Sequence, residues 1–272
     1  MPYVDSNDAK IYYEITGSGT PLVLIMGLGA DLTAWKPHSQ VFERHFKCVS
    51  IDNRGAGKSQ AGEQKSYTTA LMAQDVIAVM DHAGIYGAQI AGISMGGAIA
   101  QVLALTWPER VLSLLLINTF AALSAYSKRI FQLFKEQYGK GSVLGFDQMV
   151  QLFIYAPDTF SNNPGLIDER EGALRETQHF SMEPDAYAAQ CDALINHYEL
   201  GSLAQIHVPT LVVGGKADIL TPPQNARQLA EGIPGAALTF TDGGHVQHFE
   251  HLDEFNTLAL DFLLKHAAKE AV

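Results

Sequence analysis

The chain has 272 residues, enough for one large domain or for a core that carries an insertion. Apolar residues make up 47% and charged residues 17%, a balance that supports a buried core and excludes intrinsic disorder. The formal net charge is -11 and the sequence shows no cluster of Lys and Arg, so neither nucleic acid nor an anionic membrane surface is an expected partner. The sequence leaves the oligomeric state open.

The two cysteines, Cys48 and Cys191, are expected to be free thiols in a reducing cytoplasm. The first ten residues lack the basic and apolar segments of a signal peptide, which agrees with that location. Residues 88–107 are long and apolar enough to need a membrane check. Three polar residues and three glycines interrupt this stretch, so a buried strand followed by a buried helix is the better interpretation.

Strands and helices alternate along most of the chain. Strands are predicted at residues 10–16, 22–26, 47–51, 88–93, 111–118, 210–214 and 236–241. Helices are predicted at residues 67–83, 95–107, 224–232 and 252–268. Gly17-Ser18-Gly19 predicts a hairpin turn between the first two strands. The alternation indicates an α/β fold with a mostly parallel sheet and helices on both faces.

Residues 121–200 break this alternation. The segment contains many aromatic residues and no clear buried strand, and it reads as helical. We therefore expect a helical cap at 121–200, inserted between a first part of the α/β core at 1–120 and a second part at 201–272.

The motif Gly92-Ile93-Ser94-Met95-Gly96 fits the pattern G-x-S-x-G. Five residues alone are a weak signal, but here they follow a short apolar strand and open a helix. A serine on such a strained turn exposes its hydroxyl, and small neighbours prevent collisions. Ser94 is therefore the predicted nucleophile of a serine hydrolase, the alternative being an incidental serine at a glycine-rich helix start.

A serine hydroxyl needs a base, and the base needs a carboxylate to orient it. His245 follows Gly243-Gly244 just after the last predicted strand and is the predicted base. Asp218 follows the strand 210–214 and is the predicted acid, preferred over Asp242, which we interpret as a turn former. Most other histidines are expected at the surface. His248 and His251 repeat the three-residue spacing of a metal site, but packing or a surface position explains them better.

Backbone N–H groups are the expected donors to the oxyanion. Met95 supplies one at the start of its helix, and Leu28, in the loop after strand 22–26, supplies the other. Trp35 follows this loop and is a candidate for the pocket wall, although packing is the preferred interpretation. Gly55-Ala56-Gly57-Lys58-Ser59 resembles the end of a phosphate loop, but Asp52 stands where that motif requires glycine. No cofactor and no metal are expected.

Taken together, these motifs resemble the α/β-hydrolase superfamily over nearly the whole chain. The resemblance rests on the run 22–29, on Asp52-Asn53-Arg54-Gly55-Ala56-Gly57-Lys58-Ser59, on the serine motif and on the segments 214–223 and 243–250. The order Ser, Asp, His is also that of the family, and it implies structural roles for Asp52 and Arg54. The chain is most similar to the capped group of 3-oxoadipate enol-lactonases and small carboxylesterases. It departs from many relatives in having Met26-Gly27 in place of His-Gly.

This resemblance implies hydrolysis of a carboxylic ester or (enol-)lactone of a small, partly apolar substrate. Carbon–carbon bond hydrolases and haloperoxidase-like perhydrolases use the same triad and stay open as alternatives. A ligand receptor with slow catalysis on a hydrolase fold is an alternative of another class. An anionic substrate would need a basic residue of the cap, for which the sequence offers Lys128, Arg129, Lys135, Arg170 and Arg175.

Overall fold

A single eight-stranded sheet organises the protein. The computed structural model describes residues 3–177 and 179–267. The strands are β1 (Tyr3–Ser6), β2 (Ala9–Thr16), β3 (Thr20–Ile25), β4 (Phe46–Ile51), β5 (Ala88–Ile93), β6 (Val111–Ile117), β7 (Thr210–Gly215) and β8 (Ala237–Thr241). Their order in the sheet is β1-β2-β4-β3-β5-β6-β7-β8. β1 pairs antiparallel with β2 and β2 antiparallel with β4, whereas all other neighbours are parallel.

Helices connect the strands. They are α1 (Lys36–Phe42), α2 (Thr69–His82), α3 (Met95–Thr106), α4 (Ala125–Gln137), α5 (Val143–Ile154), α6 (Pro157–Asn162), α7 (Pro164–Leu174), α8 (Pro184–Asn196), α9 (Pro223–Gly232), α10 (Gln247–Glu250) and α11 (Leu252–Lys265). No helix of the described residues is both long enough and apolar enough to cross a membrane.

The central strands are apolar on both faces because both faces are covered. Along β3, Leu22 and Leu24 belong to one buried cluster, which includes residues of α1 and α11. Val23 and Ile25 point the other way, into a larger cluster that includes residues of α2, α3 and α9. Alternate residues of a strand point to opposite faces, so a strand buried on both sides reads as a continuous apolar run. The predicted α/β class and mostly parallel sheet are confirmed.

Three elements and one pairing differ from the sequence prediction. The elements β1, α1 and α10 were not predicted, because four to seven residues give too little periodicity to recognise. The hairpin at Gly17-Ser18-Gly19 is wrong: a turn is present, but β4 lies between β2 and β3 in the sheet. Ala268, the predicted end of the last helix, lies outside the described residues.

Between β6 and β7 the chain forms α4 to α8, which lie within residues 121–200 and which we call the helical insertion. The strand-like pairing of this segment, within its described part, is one isolated bridge between Ala122 and Tyr198. Its aromatic rings pack on one another; Tyr138 and Tyr187 stack with their centroids 3.7 Å apart. Cys191 in α8 and Cys48 in β4 are both buried and free.

Candidate active site

The carboxyl ends of the parallel strands meet at one edge of the sheet. Ser94 directly follows β5, Asp218 lies three residues beyond β7, and His245 lies four residues beyond β8. The loop after β3 brings Leu28 to the same edge. Ligand sites of open α/β sheets form at this edge.

Ser94 occupies a strained turn between β5 and α3. Its backbone has φ 54° and ψ -116°, in a region that residues with a side chain rarely adopt. A Cβ on Gly92 would lie 2.3 Å from the Gly96 carbonyl oxygen, and one on Gly96 would lie 2.2 Å from the Ile25 carbonyl oxygen. Glycine is therefore required at both positions of the motif, because backbone packs directly against backbone there.

Asp218 and His245 form a buried hydrogen-bonded pair. His245 Nδ1 lies 2.8 Å from Asp218 Oδ2. The same oxygen accepts hydrogen bonds from Thr221 Oγ1 at 2.7 Å and from Asn118 Nδ2 at 2.9 Å. Burial alone would raise the pKa of the Asp218 carboxyl, but His245, Asn118 and Thr221 together outweigh it and lower that pKa. The carboxylate is thus charged at neutral pH and available to orient the imidazole.

Asn118, which follows β6, is part of this arrangement although the sequence analysis gave it no role. Its Nδ2 donates to Asp218, and its Oδ1 accepts from Gln247 Nε2 at 3.1 Å. Thr241 Oγ1 in turn donates to Gln247 Oε1 at 2.6 Å. The backbone of Asn118 has φ 44°, which residues with a side chain seldom adopt. No pattern in the sequence marks this constrained conformation. A polar chain therefore joins β8 to the Asp218 carboxylate through β6.

Ser94 and His245 line one cavity. Among the hydrogen bonds of the described residues, none joins the Ser94 hydroxyl to the His245 ring. In unliganded enzymes such contacts are often long and tighten when substrate binds, so this geometry is compatible with a nucleophile and its base.

The two N–H groups predicted to face an oxyanion, those of Leu28 and Met95, make no hydrogen bond within the described residues. Leu28 lies between two glycines with different neighbours. A Cβ on Gly27 would lie 3.2 Å from Ser94 Cβ, so this loop runs directly against Ser94. The N–H of Gly29 is already used, because it donates to Gln190 Oε1 at 3.0 Å.

The segment that follows β4 supports the loop after β3 through hydrogen bonds. Asn53 Nδ2 donates to the Met26 carbonyl at 2.8 Å. Asp52 accepts from the N–H groups of Leu32 at 2.7 Å and Lys58 at 2.8 Å. These contacts support the loop in a chain that lacks the family's His-Gly at this position.

The cavity over Ser94 has a volume of about 170 Å³. Its walls come partly from the core and partly from the helical insertion. The insertion contributes Phe131, Phe134, Val150, Ile154, Arg170 and Tyr187. Trp35 does not line it: this side chain is fully enclosed and packs with Phe42 and Phe255 on the α1–α11 side of the sheet. The structure therefore places Trp35 in the packing and not in the pocket wall.

Arg170 is the basic residue of the helical insertion that lines this cavity, within the described part of the chain. Its guanidinium binds Asp147 of α5, with Nε 2.9 Å from Oδ2 and Nη2 2.5 Å from Oδ1. Lys135 pairs instead with Asp192 at 2.6 Å. Lys128, Arg129 and Arg175 are exposed. The described residues contain no group of acidic, cysteine or histidine side chains suited to hold a metal ion.

Glu250 ties the His245 loop to the helical insertion. One carboxylate oxygen accepts from the Gly244 N–H at 2.6 Å, and the other accepts from the Ala156 N–H at 2.9 Å and from the Thr159 hydroxyl. The Val246 N–H also donates to the Ile154 carbonyl at 3.2 Å. The segment bearing His245 is thus bonded on both sides to the end of α5.

Comparison with known proteins gives a consistent picture. The alpha/beta hydrolase fold family model matches residues 20–252. The chain is 32% identical over 263 residues to a putative carbamate hydrolase RutD of Azorhizobium caulinodans, covering 96% of this chain and 98% of that protein. It is 31% identical over 271 residues to a putative non-heme bromoperoxidase BpoC of Mycobacterium tuberculosis, covering 93% and 97% of the two chains.

Among solved structures, the enol-lactonase from Burkholderia xenovorans superposes with a TM-score of 0.86 at 27% identity. The match covers 97% of this chain and 100% of that one. The sheet topology, the turn at Ser94 and the match over residues 20–252 all agree. The protein therefore belongs to the α/β-hydrolase fold family.

Proposed function

We propose that the protein is a serine hydrolase that cleaves a carboxylic ester or lactone of a small, partly apolar substrate through an acyl-enzyme. The observation that carries this proposal is the buried His245–Asp218 pair, which opens onto the same cavity as Ser94 on its strained turn. The similarity to an enol-lactonase and to a putative carbamate hydrolase supports acyl-group hydrolysis in general.

In the acylation step, Ser94 Oγ attacks the substrate carbonyl and its proton passes to His245 Nε2. Asp218 holds the imidazole with Nδ1–H toward the carboxylate, which leaves the Nε2 lone pair free for that proton. The N–H groups of Leu28 and Met95 stabilise the tetrahedral oxyanion. The C–O bond to the alcohol then breaks, and the alcohol oxygen takes the proton from His245.

In the deacylation step, water attacks the acyl-enzyme carbonyl and gives a proton to His245. Collapse of the second tetrahedral intermediate breaks the bond to Ser94 Oγ, which recovers its proton from His245. The carboxylic acid product leaves. For a lactone, acid and alcohol are one molecule, so ring opening and hydrolysis release a single hydroxy acid.

The space directly over Ser94 supports a small acyl group. Its volume of about 170 Å³ is below the range of about 300–1,000 Å³ typical of sites for drug-sized ligands. The helical insertion acts as a cap whose side chains, mostly apolar, contact the substrate. Arg170 is the cap cation at this wall, and its bond to Asp147 already balances its charge, which favours a neutral substrate over a strongly anionic one.

Replacement of Ser94 tests the proposal. We expect Ser94→Ala to abolish turnover of p-nitrophenyl acetate and labelling by a fluorophosphonate probe, because the attacking oxygen is gone. Circular dichroism and the unfolding midpoint should stay close to those of the parent protein. Near-normal turnover in the variant would remove Ser94 from the mechanism. Efficient labelling with negligible turnover in the parent protein would favour the receptor function instead.

A second candidate, perhydrolysis, is favoured by the similarity to a putative non-heme bromoperoxidase. In this reaction hydrogen peroxide replaces water as the attacking molecule, and the acyl-enzyme releases a peracid. The two functions share Ser94, so the product decides between them. We expect acid release from p-nitrophenyl acetate to dominate; a peracid yield that exceeds acid release in dilute hydrogen peroxide would reverse that order.

A further inference from the structure

Two buried histidines form a hydrogen-bonded row that ends at the substrate cavity. His38 Nε2 lies 3.1 Å from His248 Nδ1, and His38 Nδ1 lies 2.7 Å from Asn256 Oδ1. His248 lines the cavity that also contains Ser94 and His245. Neither His38 nor His248 has a role in the mechanism above.

The far end of the row fixes the direction of every hydrogen bond. Asn256 Nδ2 donates to the Pro37 carbonyl at 3.3 Å. A carbonyl oxygen only accepts, so the amide nitrogen of Asn256 must face Pro37 and its oxygen must face His38. His38 therefore carries its proton on Nδ1 and accepts on Nε2. His248 must then carry its proton on Nδ1, which leaves a lone pair on His248 Nε2.

No donor within the described residues bonds this lone pair. His248 Nε2 makes no hydrogen bond within the described residues. Four other side-chain atoms of the described residues are fully enclosed and have no hydrogen-bond partner, and His248 Nε2 is not one of them. They are Trp35 Nε1, Arg54 Nη1, Gln101 Oε1 and His197 Nε2. His248 is 1% exposed and lines the cavity, so the little surface that its ring keeps lies beside that space.

Both rings are neutral at neutral pH. Burial lowers the pKa of His38 to about 4, although the bond to Asn256 opposes the shift. Burial, and then the neighbouring His38 and His245, lower the pKa of His248 well below its usual value. Aromatic rings of Trp35, Phe42, Phe249 and Phe255 surround His38 and explain its low polarity environment.

We propose that His248 Nε2 is a hydrogen-bond acceptor for the substrate and makes the enzyme select esters or lactones that carry an O–H or N–H donor. This proposal rests on the proposed hydrolase function. The row from Pro37 through Asn256 and His38 permits only this tautomer, so the site accepts and does not donate. A substrate that lacks the donor leaves a buried acceptor unpaired, which is the most effective way for a polar site to discriminate.

The tautomer is measured first, without substrate. In protein labelled with ¹⁵N at histidine, two-bond proton–nitrogen correlation should give a pyrrole-type resonance for His248 Nδ1 and a pyridine-type resonance for Nε2. Free imidazole favours the opposite tautomer in water, so the expected pattern is diagnostic. A pyrrole-type Nε2 would overturn the proposal whatever the enzyme hydrolyses.

Selectivity is measured next with two pairs of small lactones. One pair is 2-hydroxy- and 2-methoxy-γ-butyrolactone, and the other is 2-acetamido- and 2-(N-methylacetamido)-γ-butyrolactone. In each pair only the first member offers a donor, so the pairs separate an O–H from an N–H substrate. We expect the kcat/KM ratio of donor to blocked substrate to fall about tenfold in His248→Leu for at least one pair. Phe131→Leu changes the apolar wall of the same cavity without touching either histidine and should leave the ratio unchanged.

His38 is a positioning residue in this scheme, and its variants separate tautomer control from simple packing. His38→Leu removes the acceptor for His248 Nδ1–H, so the ratio should fall although the cavity wall is intact. His38→Gln should restore it, because the amide donates to Asn256 and accepts from His248. Equal ratios in the parent protein, His248→Leu and His38→Leu would overturn the proposal. If the parent protein hydrolyses neither these lactones nor p-nitrophenyl acetate, the result would instead refute the hydrolase function.

Discussion

The carboxyl edge of the sheet and the helical insertion build the same cavity in different ways. At the sheet edge, backbone touches backbone: a Cβ on Gly96 would lie 2.2 Å from the Ile25 carbonyl oxygen. In the insertion, a Cβ on Gly172 of α7 would meet nothing within 4 Å. The edge carries polar groups with several partners each, such as Asp218, whereas the wall from the insertion is mostly apolar.

This difference separates two tasks. Positions that set bond-making geometry have little freedom, because strand ends and the turn at Ser94 fix them together. Under the proposed function, the positions that contact the rest of the substrate lie on helices that tolerate exchange of one apolar side chain for another. Changes at the edge should therefore affect chemistry or folding, and changes in the insertion should affect substrate choice and stability by smaller amounts.

Among the variants that compare the two regions, the largest effect is expected at Asp218. In Asp218→Asn the amide nitrogen would face His245 Nδ1 and favour the wrong tautomer, so kcat for p-nitrophenyl acetate should fall by about 10⁴-fold. Asp242→Asn is the matched control, because Asp242 is exposed and bonds Lys216 at 2.8 Å. It should keep the parent kcat. A large loss in Asp242→Asn with none in Asp218→Asn would exchange the two assignments.

Two glycine replacements test the contrast in packing directly. Gly96→Ala should lower the free energy of unfolding by about 3 kcal/mol or more, since backbone has to move to admit the methyl group. Gly172→Ala lies in an open helical position and should raise it by about 0.5–1 kcal/mol. Urea unfolding of both variants measures the difference. Similar free-energy changes for the two would contradict the contrast.

A loss of stability that depends on pH is expected where the helical insertion meets α2. His197 follows α8, its Nδ1 lies 3.0 Å from Thr69 Oγ1 of α2, and burial lowers its pKa from 6.5 to about 4. The unfolded chain therefore binds this proton first as pH falls from 6.5 to about 4, and stability is lost over that window. Because the group is neutral in both states at higher pH, no loss is expected there.

The measurement is the free energy of unfolding at pH 7 and at pH 4.5. His197→Gln should lose less stability than the parent protein between these pH values, by about 2 kcal/mol. His207→Gln, at an exposed histidine, should lose as much as the parent. If His197→Gln loses as much free energy of unfolding as the parent between these pH values, the burial of His197 does not cause the loss of stability in acid.

The sequence was informative where motif and periodicity act together. The strand before Ser94 and the helix after it were predicted within a residue, since both are apolar and glycine marks the turn. It was uninformative where a role depends on contacts between distant elements. Asn118 looked like a strand end without a carboxylate, and only the sheet order brings it to Asp218. His38 was expected at the surface with most other histidines, yet it is fully buried beside His248.

Trp35 shows the same limit in the opposite direction. Its position after the loop allowed a place in the pocket wall as well as the preferred packing role, and only the structure, in which the side chain packs in the layer of α1 and α11, decides between the two. Arg170 was one of five basic residues of equal standing in the sequence. The packing of α7 against α5 through Asp147 distinguishes it from the others.

The bond between Glu250 and both Gly244 and Ala156 bears on any attempt to exchange the insertion with that of a relative. A transplanted segment would have to present an N–H group where Ala156 does, or the loop that carries His245 would lose its support on that side. Loop and insertion are thus one transferable unit, with residues 243–250 belonging to the graft as much as the helices do. Chimeras that exchange only residues 121–200 should therefore bind new substrates but hydrolyse them poorly.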